Sequence, residues 1–196
     1  MSRVPRRAAA MSQSRPLSAT DWTRAALDAM TEGGVSAVAI EPLAAQLGAT
    51  KGSFYHHFAN RDALIVAALE EWERSQTEVV IERLGLLPDP AERLRAVMAA
   101  ALGDRAGGVR DAALLGSAAH ALVKPVVERV TKRRLAYLTE TYVELGLPEV
   151  RARHRALLLY SSYLGLYDCL RTGVEQLDDT ELWAYAREAL ATVVPT

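Results

Sequence analysis

The chain holds a single cysteine, Cys169, so no disulfide can close within it, and this usage fits a reducing compartment. It has no run of about 18 apolar residues, which leaves no helix able to span a bilayer. Its first nineteen residues carry Arg3, Arg6, Arg7 and Arg15 but no apolar stretch, so they do not read as a secretory signal. The expected location is therefore the cytoplasm, with residues 1–19 as a flexible basic tail. Local catalytic signatures are missing as well: no GxSxG elbow, no glycine-rich phosphate loop, no HExxH, and no histidine near the cysteine in sequence. No enzyme, catalytic residue, cofactor or metal site is expected. Strand-like alternation and internal repeats are also absent, which leaves an all-α reading.

What is present is a globular composition, 50% hydrophobic over 196 residues, with a net charge of only −1. That charge is unevenly placed. Residues 1–62 hold seven Lys/Arg against five Asp/Glu, a balance of +2, and the remainder balances to −3. The positive side coincides with a succession of short helical patterns. Trp22, Ala25, Ala26, Ala29 and Met30 make an apolar stripe over residues 20–33, capped by Ser18 or Thr20 and stopped by Gly33 and Gly34. A second helix over 40–47 takes Pro42 in its first turn and ends at Gly48. The third begins at Thr50, an N-cap residue at a helix start suited to an anion. In it Lys51, Ser53, Tyr55, His56 and His57 supply donors, while Phe54 and Phe58, four apart, share an inward face. Adjacent histidines diverge by about 100° on a helix, so His56 and His57 do not chelate one ion.

Asn60 caps a long fourth helix that runs towards Leu84 and links two domains, 20–66 and 67–196. Beyond it, Asp89 opens a helix to Leu102, residues 103–108 read as a glycine-rich connection, and an alanine-rich helix follows to Val123. Pro125 starts a helix ended by Gly146, Pro148 starts another to Thr172, and Asp179 starts the last. The run Arg129, Lys132, Arg133 and Arg134 reads as a solvated face in preference to a second nucleic-acid surface. Tyr160, Tyr163 and Tyr167, at i, i+3 and i+7, form a stripe that lines a cavity or fills an interface. With His120 and Tyr137 they are the candidate ligand-binding residues.

Taken together, the stripe Trp22 to Gly34, Leu43-Ala44 with Leu47-Gly48, and Thr50-Lys51-Gly52-Ser53-Phe54-Tyr55-His56-His57-Phe58 followed by Arg61 and Leu64 resemble the DNA-binding domain of the TetR family of transcriptional regulators. The resemblance implies a three-helix helix-turn-helix head joined by a long helix to a helical effector-binding and dimerisation domain. It implies a homodimer on double-stranded operator DNA, acting as a repressor released by a small apolar or aromatic ligand. By position it places Thr50 and Lys51 on the backbone, Gly52 at a close approach and Ser53 at a base edge. Tyr55, His56 and His57 follow on phosphate, sugar or base, and Arg61 on a flanking phosphate. Ala39 departs from the pattern by lacking the hydroxyl that commonly caps the second helix. The dimer surface is expected on the last two helices, with Leu157, Leu158, Leu164, Leu182, Trp183, Ala186 and Leu190. A DNA-binding protein without an effector and a helical enzyme are the alternatives.

Overall fold

The computed structural model describes residues 17–193. The tail arginines Arg3, Arg6, Arg7 and Arg15 lie outside the described residues. Helix α1 (Ala19–Gly33) begins on Ser18, not Thr20. The Ser18 hydroxyl accepts the Asp21 N–H, and the Asp21 carboxylate accepts the Ser18 N–H at 2.7 Å, a reciprocal capping box. The last residues assigned to the tail are thus the cap and first residue of a helix.

A 3-10 turn, Val35–Ala37, leads to α2 (Ile40–Gln46), whose N-cap Ala39 makes no side-chain bond. Gly48, at φ 63°, supplies the left-handed residue that turns the chain into α3 (Lys51–His57). Asn60 caps α4 (Arg61–Glu73) by accepting the Ala63 N–H at 2.8 Å. That helix does not stop at Glu73. It passes through a π-helical turn, Arg74–Glu78, into α5 (Val79–Gly85), and helical dihedrals are kept at both junctions. The long fourth helix is therefore present but carries a widened turn.

Helices α6 (Pro90–Gly103) and α7 (Arg105–Gly116) are separated by Asp104 alone. The glycine-rich connection expected over 103–108 is mostly helix, because Asp104 caps α7 by accepting the Gly107 N–H at 2.9 Å. Gly108 meets a packing demand: a Cβ there would stand 2.3 Å from the ring of Tyr167. Helix α7 ends at Gly116, short of Val123, and turns occupy 117–123. Three longer helices follow, α8 (Lys124–Glu144), α9 (Glu149–Thr172) and α10 (Asp179–Val193). No strand occurs among the described residues.

Two main cores result. One gathers Trp22, Met30, Leu43, Phe54, Phe58 and Leu64 from the first four helices, and continues through Trp72 to Leu114 of α7 and Val123, Val126, Val127 and Val130 at the start of α8. The other is built by α6 to α10 around Leu94, Tyr142, Leu159 and Tyr167. Packing therefore does not break at residue 66. The fourth helix is core to the head and wall to the body.

Candidate nucleic-acid interface and buried cavity

Phe54 is fully buried and meets Trp22 edge to face at 5.4 Å, with Phe58 at 5.8 Å. These contacts fix the rotation of α3 and leave its opposite side in solvent. Lys51, Gly52, Tyr55 and His56 are exposed, Tyr55 by 58%, and Ser53 and His57 are half-buried. The Thr50 hydroxyl accepts the Ser53 N–H at 3.2 Å, the cap expected of it. A Cβ on Gly52 would find only Thr50 Oγ1, at 3.6 Å. Nothing inside the chain requires glycine there, although glycine costs a helix about 1 kcal/mol relative to alanine.

Three of the candidate contacts are engaged within the protein. Lys51 is ion-paired with Glu41 of α2, which raises the lysine pKa and lowers that of the carboxylate through their hydrogen bond. His57 Nε2 lies 3.0 Å from the Leu17 carbonyl oxygen and ties the entry of α1 to the end of α3. Arg61 donates from Nε to the Val38 carbonyl at 2.6 Å and from Nη2 to that of Val35 at 2.5 Å. Its guanidinium staples the 3-10 turn to α4, a duty the sequence did not announce.

The body contains a cavity of about 120 Å³ enclosed by the π turn and by α5 to α9. Tyr137, Tyr160 and Tyr163 line it. Tyr167 does not: it is fully buried, donates to the Ala101 carbonyl at 2.9 Å, and has its pKa pushed up to about 12 by burial. His120 also falls outside, exposed in the turn before α8, where its Nδ1 accepts the Leu122 N–H at 3.2 Å. A second cavity of about 290 Å³ opens on the α10 side and shares Met98, Ala101, Leu159 and Tyr163 with the first.

The polar wall of the first cavity is built around Asp111, which the sequence did not single out, and Arg134, which it placed on a solvated face. Asp111, 3% exposed, accepts the Trp72 indole N–H at 2.7 Å on Oδ1 and the Tyr163 hydroxyl at 3.0 Å on Oδ2. Arg134 donates to the same Oδ2, to Thr77 Oγ1 at 2.9 Å and to the Gln76 carbonyl at 3.1 Å, both in the π turn. Its carbon Cζ lies 5.7 Å from the centroid of the Trp72 ring, a cation–π distance. Burial acts to lower the Arg134 pKa, but the Asp111 carboxylate outweighs it and the net shift is upward. Burial, followed by the negative charge of Asp111, raises the Tyr163 hydroxyl far above its ordinary value.

The basic run on α8 is therefore not one solvated face. Lys132 is exposed, Arg129 and Arg133 pair with Glu73 of α4 and Glu78 of the π turn, and Arg134 turns inward with 14% of its side chain exposed. The readable clue was position: Arg134 shares a stripe with Val127, Val130, Tyr137 and Thr141. Among the described residues no group of three or more His, Cys, Asp or Glu is placed to hold a metal ion. No described helix is long and apolar enough to cross a membrane.

Residues 23–68 match the family of bacterial regulatory proteins, tetR family. No curated relative matches. Among solved structures, a TetR-family transcriptional regulator from Agrobacterium tumefaciens is 20% identical at a TM-score of 0.75, over 90% of this chain and 97% of that one. FadR from Bacillus subtilis, in complex with stearoyl-CoA, is 16% identical at a TM-score of 0.70, over 90% and 98%. AibR, in complex with isovaleryl coenzyme A and operator DNA, is 21% identical at 0.67, again over 90% and 98%.

Proposed function

We propose that this chain, whose residues 23–68 match the tetR family and whose fold is similar to that of a TetR-family structure, is a TetR-family transcriptional regulator, a homodimeric repressor that a small apolar or aromatic ligand releases from operator DNA. One observation carries the reading. The Asp111 carboxylate holds at once Trp72, on the helix that completes the DNA-reading head, and Tyr163, in the cavity wall. A ligand that draws Tyr163 or Arg134 away from it weakens the anchorage of Trp72 and of the π turn together. Each buried bond to a charged group is worth about 1.5–3 kcal/mol, and a coupling of about 1–3 kcal/mol changes affinity about 5- to 150-fold. The fourth helix then settles differently, and the two heads lose the separation that matches one turn of the DNA groove.

Two further observations support the reading. Structural neighbours bind acyl-CoA ligands, one of them together with operator DNA. Here the two adjoining cavities, of about 120 and 290 Å³, would together reach the lower part of the about 300–1,000 Å³ typical of ligand sites once the Tyr163 and Met98 wall moves. For the dimer, Leu157, Leu158 and Trp183 stand 51%, 58% and 45% exposed on α9 and α10. Such an apolar face suits a second copy of the chain. Leu182 and Ala186, also assigned to that surface, are instead 3% and 2% exposed in the protomer's own core.

The test selects an operator from random duplexes and measures its affinity by fluorescence anisotropy while a thermal-shift screen of apolar compounds finds stabilisers. The reading expects at least one stabiliser to weaken operator binding. If every stabiliser leaves operator affinity unchanged, the protein binds DNA without this control.

A further inference from the structure

We infer that the inner cavity selects an uncharged ligand carrying a hydrogen-bond acceptor, such as a ketone, ester or thioester carbonyl, received by the hydroxyl of Tyr137, and rejects a free carboxylate. This rests on the reading of the cavity as the effector site and adds the chemistry of what enters it.

The charged groups of the cavity wall are committed to one another. Arg134, the cation in the cavity wall, bonds Asp111, Thr77 and the Gln76 carbonyl through all three of its nitrogens. Asp111 takes Trp72, Tyr163 and Arg134 in return, so the pair is neutral. A second carboxylate, Asp104, also lines the space. Arg93, whose charge acts on Tyr137, is engaged through both terminal nitrogens by Glu144. The Nε of Arg93 is left without a partner, but both cations are already neutralised by a carboxylate, so an entering anion meets no unpaired positive charge and is desolvated against existing carboxylates, which is strongly unfavourable.

Among the residues that line the cavity, one buried side-chain donor is left over. Tyr137 lines the cavity and is 8% exposed; no group stands in hydrogen-bond geometry to its hydroxyl, although Thr141, one turn on, lies near enough to interact with it. A buried hydroxyl without a partner is costly, and native structures seldom leave one so without reason. Burial raises its pKa, so the group remains a protonated donor at neutral pH. The other cavity tyrosines are occupied: Tyr160 with Thr131 at 3.3 Å and Tyr163 with Asp111. The remaining lining is largely aliphatic, with Val80, Ile81, Leu84, Val97 and Leu138 among its members.

Three nearly isosteric probes separate the possibilities: acetophenone, cumene and benzoate, titrated calorimetrically into the full chain. Acetophenone is expected to bind about tenfold tighter than cumene, the worth of one hydrogen bond to an otherwise unpaired group, and benzoate at least about 100-fold weaker than acetophenone. Tyr137→Phe should bring acetophenone down to the level of cumene, leave cumene unchanged and keep the melting temperature the same or raise it. Tyr160→Phe should keep the preference. Equal binding of acetophenone and cumene, tightest binding of benzoate, or a preference surviving in Tyr137→Phe overturns the assignment while leaving the cavity a ligand site. Binding of none of the three overturns both the assignment and the effector reading of the cavity.

Discussion

Arg61 is placed by the sequence beside a flanking phosphate, yet in the structure its guanidinium closes on the carbonyls of Val35 and Val38. Arg61→Ala is expected to lower stability by about 1.5–3 kcal/mol in urea unfolding, the worth of a charged hydrogen-bonding group, and to leave the salt dependence of DNA binding unchanged. Intact stability with a salt slope shallower by about one would return Arg61 to the phosphate. Tyr55, by contrast, has 58% of its surface free, and Tyr55→Ala should weaken operator binding without loss of helical signal in circular dichroism. Gly108→Ala forces a methyl into the Tyr167 ring and should cost about 1–3 kcal/mol by the same unfolding assay. At this scale legibility followed chemistry. Phe54 and Phe58 declared themselves by spacing, whereas Arg134 was hidden by three charged neighbours, and Asp111 by the absence of any pattern around a single acid.

Caps and stops made the elements readable. Ser18 with Asp21, Asn60, Asp89 and the glycine at 48 mark boundaries in the sequence because each meets an orphan backbone group or a positive φ locally. Two features were not readable, since their causes lie far along the chain. Gly107 and Gly108 resemble a linker until the Asp104 carboxylate is seen to crowd the first and Tyr167, on α9, the second. The π turn at Arg74–Glu78 preserves helical composition, and the partner of its Gln76 carbonyl is Arg134 on α8. The α7–α8 pair that anchors Trp72 of α4 can be measured by a double-mutant cycle. Asp111→Leu and Arg134→Met alone should each cost about 3–5 kcal/mol by stranding a buried charge, and together markedly less than their sum. Additive losses would show that the two do not act as a pair.

For the whole molecule, an N-terminal match over residues 23–68 and a fold shared across nine-tenths of the chain were expected from motifs that cover only the first third. The body was legible as helices but not as a site, because its polar wall is assembled from the π turn, α7, α8 and α9. The assembly is testable at Leu158, 58% exposed on α9: Leu158→Asp should give a folded monomer in sedimentation where the parent sediments as a dimer, and should abolish operator binding. A parent that is monomeric at micromolar concentration removes the two-half-site mechanism.

The coupling of cavity to DNA is tested most directly by titrating the strongest stabiliser from the thermal-shift screen into the protein with and without saturating operator. Linkage requires that the factor by which the ligand weakens operator binding reappear as the factor by which operator weakens ligand binding. The account predicts a reciprocal loss of at least about fivefold in both directions, the lower end of ordinary allosteric coupling. Equal ligand affinity in the two titrations would contradict it.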